Sequence, residues 1–383
     1  MGLVVTYLDV AATTRVDSRV ADVVMHWMTE DFGNAGSRTH EYGTRAKRAV
    51  QQAREYLAST VDAEPDELIF TSGATESNNI ALLGLGPYGE QSGRRHIITS
   101  AIEHKAVIEP LEHLQSRGFE VDFIKPGSSG RVPVEAVMER LRPDTLLVSL
   151  MHVNNETGVI QPVAELAGLL RETSTYLHVD AAQGYGKVPQ DLTAPIDLMS
   201  VSGHKIGAPK GVGMLVARRR HWERLPLQPI MFGGGQERKL RPGTLAVPLI
   251  MGLAEAAKIF EKGHAEWSRN AEALRNRLLG ALAKTRFWIN GDQNHTVPHI
   301  LNLSFEGVDA EALIVMLKQH VAVATGSACT SASYTPSHVL TAMGLPERVA
   351  ENGLRLSWFP SQAADLDVEE LAAQIARMQP DSA

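Results

Sequence analysis

Between about residues 45 and 217, short apolar runs alternate with stretches in which apolar side chains recur at helical spacing. Residues 68–70, 96–99, 120–123, 146–150, 177–179, 198–201 and 212–216 read as strands, each too short for a helix and mostly rich in β-branched or large apolar residues. Segments 134–141 and 163–171 carry helical spacing between them. Strand and helix alternating at this pace imply crossover connections and a mainly parallel sheet. The pattern changes after Pro248. A long helical stretch rich in Ala, Glu, Leu and Arg runs from Leu253 to Lys284 and reads as interrupted near Gly263. Strands resume around 299–305, and Val368, Leu371, Ala372, Ile375 and Met378 form one apolar stripe on a closing helix. The expected architecture is α/β: a large domain over residues 16–254 built on a mainly parallel seven-stranded sheet, and a smaller α+β domain from residues 1–15 and 255–383. Residues 3–8 read as a short strand or arm, and their fit to a myristoylation pattern as accidental.

Composition narrows the function more than the fold. With 383 residues, a prior of two to three domains and a sizeable core are available. Basic and acidic side chains number 37 and 44, giving −7, and the longest basic block is Arg218-Arg219-Arg220, which argues against direct nucleic-acid binding. Cys329 is the only cysteine, so an intrachain disulfide and a thiolate zinc site are excluded. No histidines stand in an His-Glu-x-x-His arrangement, and no metal is expected. No apolar run approaches 18 residues, so a membrane span is not expected and the default compartment is cytoplasmic.

Three clusters at strand ends could carry chemistry. In Phe70-Thr71-Ser72-Gly73-Ala74-Thr75-Glu76-Ser77-Asn78-Asn79 a strand gives way through small residues to a helix starting near Thr75. Such a turn either cradles a phosphate on open N–H groups or is merely a capped helix start using Ser72 and Glu76. In His178-Val179-Asp180-Ala181-Ala182-Gln183, Asp180 follows an apolar strand. It could pair with a cationic ring nitrogen, bind a metal or cap a helix. In 200–211, Lys205 lies among small, hydroxyl and imidazole side chains after another strand. Partial desolvation and nearby positive charge would populate the neutral amine that a Schiff base requires. Together the three describe a pyridoxal 5′-phosphate pocket.

With these residues the chain resembles the class V aminotransferase group of fold-type I pyridoxal phosphate enzymes, and within it the NifS/IscS-type cysteine desulfurases, from Tyr7-Leu8-Asp9-Val10 to Gly353-Leu354-Arg355-Leu356-Ser357. The resemblance implies that Lys205 holds the cofactor covalently and that Asp180 pairs with its pyridinium nitrogen. Asn155 and Gln183 would reach the phenolic oxygen, and His104 would stack on the ring and move protons. Ala74, Thr75, Ser202 and His204 would hold the phosphate. Thr244, in Arg241-Pro242-Gly243-Thr244, would reach the neighbouring subunit's phosphate, which implies a homodimer. Asn155 and Arg355 would bind the substrate, Arg355 by its carboxylate; outside the resemblance Arg355 reads as a surface ion pair. Cys329 lies in a run of small polar residues, about 324–335, that reads as a mobile loop; alone, a lone cysteine reads as an inert buried side chain. The resemblance makes it the thiol that takes sulfur from L-cysteine, leaving L-alanine, and passes a persulfide to an acceptor. That acceptor would serve iron–sulfur clusters, thio-modified tRNA or DNA phosphorothioation. Trp358-Phe359-Pro360 stands where a small pair is expected, and its bulk is expected to reshape the cysteine pocket or pack the Cys329 loop. Two alternatives stay open: a selenocysteine lyase or transaminase of the same group, and a cofactor-free interaction subunit.

Overall fold

The structure is a computed structural model that describes residues 5–326, 336–359, 361, 363 and 366–380. Among the described residues the strands, in chain order, are β1 (Thr6–Tyr7), β2 (Leu68–Thr71), β3 (His96–Ser100), β4 (Glu120–Ile124), β5 (Thr145–Met151), β6 (Tyr176–Asp180), β7 (Leu198–Ser202), β8 (Gly213–Ala217), β9 (Phe287–Ile289), β10 (Ile300–Phe305), β11 (Val321–Ala322), β12 (Ala324–Thr325) and β13 (Gly353–Ser357).

Strands β2 to β8 form one sheet in the order β2-β8-β7-β6-β5-β3-β4. β3 to β7 run parallel, and only β8 is reversed against its neighbours β7 and β2. Both faces are covered. Phe70, Val148, Leu150, Val179 and Val201 pack on one side with the helices Glu41–Ser59 and Val163–Leu170. Ile69, Ile97, Leu147, Leu198 and Leu215 pack on the other with Ala74–Ser92 and Lys105–Ser116. Alternating side chains therefore enter opposite apolar layers, and double coverage explains why these strands read as nearly continuous apolar runs.

A second sheet, ordered β12-β13-β10-β9, is antiparallel throughout, and β1 pairs with β11 in parallel. Its apolar face packs on Ala271, Leu274 and Leu278 and on the closing helix Val368–Met378. The helix Val247–Ala281 joins this cluster to the large sheet's core, burying Ile250, Leu253 and Phe260 there. Contrary to expectation it is unbroken at Gly263. One helical glycine costs only about 1 kcal/mol, less than the burial secured at both ends. Trp358 also departs from expectation. It is fully buried and donates from Nε1 to the Ala271 carbonyl at 3.2 Å. Phe359 packs against Phe260 and Trp267, so Trp358 and Phe359 fill core rather than pocket; Pro360 and the expected packing against the Cys329 loop lie outside the described residues. Among the described residues no helix is long and apolar enough to cross a membrane.

Candidate active site

Because β8 is reversed, the carboxyl ends of β2, β5, β6 and β7 and the start of β8 share one sheet edge, where Thr71 and Ser202 both pair with Gly213. A cavity of about 530 Å³ opens there, the position where open α/β sheets hold ligands. Ala74, Thr75, His104, Asn155, Asp180, Gln183, Ser202, His204, Lys205 and Arg355 all line it. Thr244 is exposed and outside the lining. Cys329 lies outside the described residues.

The helix after β2 begins at Ala74, and Gly73 precedes it at φ 151° with no side-chain cap. That φ favours glycine. Ser72 does not cap this helix; its own N–H is held by the Glu76 carboxylate, which also accepts from Arg241 Nε at 3.0 Å. Ala74 and Thr75, in this uncapped first turn, line the cavity. Gly213 backs the cradle: a Cβ there would lie 2.6 Å from the Gly73 Cα and 2.3 Å from the Val201 oxygen.

Asp180 ends β6, buried, with Oδ2 accepting from Asn78 Nδ2 at 2.7 Å and Oδ1 from the Ala182 N–H at 2.9 Å. His178, two residues earlier on the same strand, hydrogen-bonds Ser149 and Ser200, and burial pushes its imidazole down to about 4. It is neutral at pH 7 and does not compete as a cation for Asp180. Lys205 ends a 3₁₀ turn after β7, and its Nζ donates to the carbonyls of Ala11 at 2.5 Å and Ala12 at 2.7 Å. Burial, then the Lys205, Lys210 and Lys187 charges, pushes His204 down to about 4.

His104 is the N-cap of Lys105–Ser116, with Nδ1 accepting from the Ala106 N–H at 3.1 Å. Burial holds its pKa below the usual imidazole range, so Nε2 carries the proton on the free side of the ring. Gln183 Nε2 donates to the Ala11 carbonyl at 2.7 Å. Arg355 on β13 is 1% exposed, not the surface ion pair that its residue type alone suggests. Its guanidinium donates to Asp9 Oδ1 at 2.7 Å and to the Asn155 carbonyl at 3.0 Å.

Four supporting residues escape a reading of motifs: Asp9, Asn78, Glu103 and Glu156. Asn78 was within reach, since it lies one helical turn after Ala74 and shares its face. Glu103 lies fully buried, its Oε1 accepting from Ser100 Oγ and the Met151 N–H. Burial pushes its carboxyl up to about 8, so it is largely neutral at pH 7.

These groups fit pyridoxal 5′-phosphate. An uncapped helix start suits the phosphate, a buried carboxylate with two donors suits a cationic ring nitrogen, and a lysine lines the same cavity. A model of the family Aminotransferase class-V matches residues 6–371, and the chain belongs to that family. Its cofactor is pyridoxal 5′-phosphate. Cysteine desulfurase IscS of Methylococcus capsulatus is 45% identical over 377 residues, covering 97% of this chain and 93% of that protein. The mitochondrial cysteine desulfurase of Arthroderma benhamiae is 45% identical over 91% of this chain and 69% of its own length. Among solved structures, DndA from Streptomyces lividans is 75% identical with a TM-score of 0.82, covering 92% of this chain and 99% of that one. SspA in complex with cysteine is 36% identical with a TM-score of 0.82, covering 93% and 99%.

Proposed function

We propose that this protein is a cysteine desulfurase that converts L-cysteine to L-alanine and keeps the sulfur as a persulfide on Cys329. The observation that carries the reading is the convergence of the uncapped helix start at Ala74, Asp180, Lys205 and Arg355 on one cavity. Pyridoxal phosphate, when bound, supplies an electron sink for the carbanion left when the substrate Cα loses its proton. Ala74, Thr75, Ser202 and His204 would hold its phosphate and Asp180 its ring nitrogen. Asn155 and Gln183 would serve its phenolic oxygen, and Lys205 would anchor it. Arg355 takes the substrate carboxylate in a two-pronged hydrogen bond. Lys205 Nζ would take up the substrate Cα proton, and His104, whose Nδ1 is held by the Ala106 N–H, would move protons through Nε2 on the same cavity. The Cys329 thiolate attacks the substrate Sγ. An S–S bond forms, the Cβ–Sγ bond breaks, and its electron pair goes to the carbon fragment, which takes up one proton at Cβ, regains the proton removed from Cα and leaves as alanine.

On this reading residues 16–254 form the cofactor domain, while residues 1–15 and 255–383 form the smaller domain that supplies Arg355 and Cys329. The protein works as a homodimer in which exposed Thr244 reaches the neighbouring phosphate. Exposed Met25, Met28, Phe32 and Phe232 support an interface, being too apolar to favour water. The persulfide passes to an acceptor protein serving iron–sulfur clusters, tRNA thiolation or DNA phosphorothioation, in the cytoplasm.

The test is alanine release from L-cysteine by cofactor-loaded protein beside Cys329→Ala and Lys205→Ala. The reading expects alanine from the wild type alone. Equal alanine from Cys329→Ala favours a lyase that needs no protein thiol, and a protein that takes up no pyridoxal phosphate favours an interaction subunit.

A further inference from the structure

Glu156 lines the cavity and is 2% exposed, yet no step above uses it. Its Oε2 accepts a hydrogen bond from Ser337 Oγ at 2.5 Å. The same oxygen meets Gly326, where a Cβ would fall 1.9 Å away. Gly326 has no left-handed φ, so this position requires glycine for room rather than for backbone freedom. Gly326 and Ser337 bracket the stretch of chain that contains Cys329.

The Ser337 hydroxyl is committed at both ends. It accepts from the Leu340 N–H at 3.1 Å as the N-cap of the helix His338–Ala342, so its own proton is directed to Glu156. Next along that helix, His338 Nε2 reaches the Glu103 carbonyl at 2.9 Å, which ties the outgoing chain to the wall that carries His104. On the incoming side Ala324 and Thr325 pair with Arg355 and Leu354 in β13. Glu156 is itself fixed, its N–H donating to Asn154 Oδ1 at 2.9 Å beside Asn155.

We propose that Glu156 is a positioning residue: its Oε2 holds Ser337, where the chain leaves the segment containing Cys329, close against Gly326, where the chain enters it. The proposal rests on the desulfurase reading and adds how the thiol is kept in reach of its substrate. Holding the two flanking positions side by side removes the entropic cost of bringing the ends of the intervening chain together.

Cys329 is the only cysteine, so a nitroxide label on it reports one position. The test compares wild type, Glu156→Ala, Glu156→Gln, Gly326→Ala and the Glu156→Ala/Gly326→Ala pair as full-length, cofactor-loaded protein. In labelled Glu156→Ala the electron paramagnetic resonance lines narrow relative to wild type. In the unlabelled variant alanine release falls on the order of tenfold to a hundredfold, while the L-cysteine concentration that half-saturates the cofactor's absorbance change stays within about twofold. Glu156→Gln, which keeps an acceptor oxygen for Ser337, recovers most of the rate. Gly326→Ala impairs the wild-type background but adds little to Glu156→Ala, because the atom it would strike is gone.

Unchanged line widths in Glu156→Ala, or equal damage by Gly326→Ala in both backgrounds, overturns the proposal. If Glu156→Ala loses rate only by losing the absorbance response, Glu156 acts on substrate binding and the proposal fails. Failure of the desulfurase reading is separate, since the wild type itself would then release no alanine.

Discussion

Glu103→Gln should remove a pH dependence of stability that the wild type carries. The carboxyl lies fully buried beside Asp180, and burial raises it to about 8 in the folded state from 4.5. The folded protein therefore holds this proton more tightly than the unfolded chain does. A raised pKa contributes stability that is complete below pH 4.5 and is lost as pH rises toward 8. Each pH unit inside that window costs about 1.4 kcal/mol, so about 3 kcal/mol disappears between pH 4.5 and 7. Glutamine keeps the acceptor for Ser100 and the Met151 N–H and cannot ionise. Urea unfolding of cofactor-free wild type and Glu103→Gln, at half-unit steps from pH 5 to 8, measures the difference. The variant should gain on the wild type steadily as pH rises. A difference that is flat, or that narrows with pH, would refute the assignment of a neutral Glu103. Glu103→Ala separates charge from hydrogen bonding: it strands two buried donors and should be less stable than Glu103→Gln by about 1–3 kcal/mol at every pH.

Gly213→Ala should push the Gly73 turn off its cradle, costing about 1–3 kcal/mol of stability and loosening pyridoxal phosphate, read as faster cofactor loss on dialysis. Asn78→Leu should leave one oxygen of Asp180 without its donor and weaken cofactor binding by on the order of tenfold to a hundredfold, the size of a lost hydrogen bond to a charged group; an absorbance titration measures it. Arg355→Lys should raise KM for L-cysteine by at least about tenfold because an ammonium lacks the fork. Asp9→Asn should raise it by less, since the guanidinium stays but loses a charged partner; steady-state alanine production checks both.

The seven strands of the large sheet were legible because each is buried on both faces and so appears as an uninterrupted apolar run between helical stretches. The placement of Ala74, Asp180 and Lys205 was legible for a related reason: Asp180 ends such a run, Ala74 and Lys205 follow one within three residues, and strand ends of this sheet converge at one edge. Asp9, Glu103 and Glu156 were not. Their importance comes from partners far along the chain, such as Arg355 for Asp9 and Ser337 for Glu156, and no periodicity marks a contact made by tertiary folding. Gly263 and Trp358 misled in the same way. Local rules suggest a helix break and a crowded pocket; packing on two apolar clusters carries the helix through, and the indole turns to the Ala271 carbonyl instead.

The central claim is that sulfur from L-cysteine stays on the protein at Cys329. Mass spectrometry of cofactor-loaded protein after brief exposure to L-cysteine tests it most directly, with and without a reductant. The account predicts a gain of one sulfur atom on the peptide containing Cys329, formed together with alanine and removed by the reductant. Alanine formed with no sulfur retained on that peptide would contradict it.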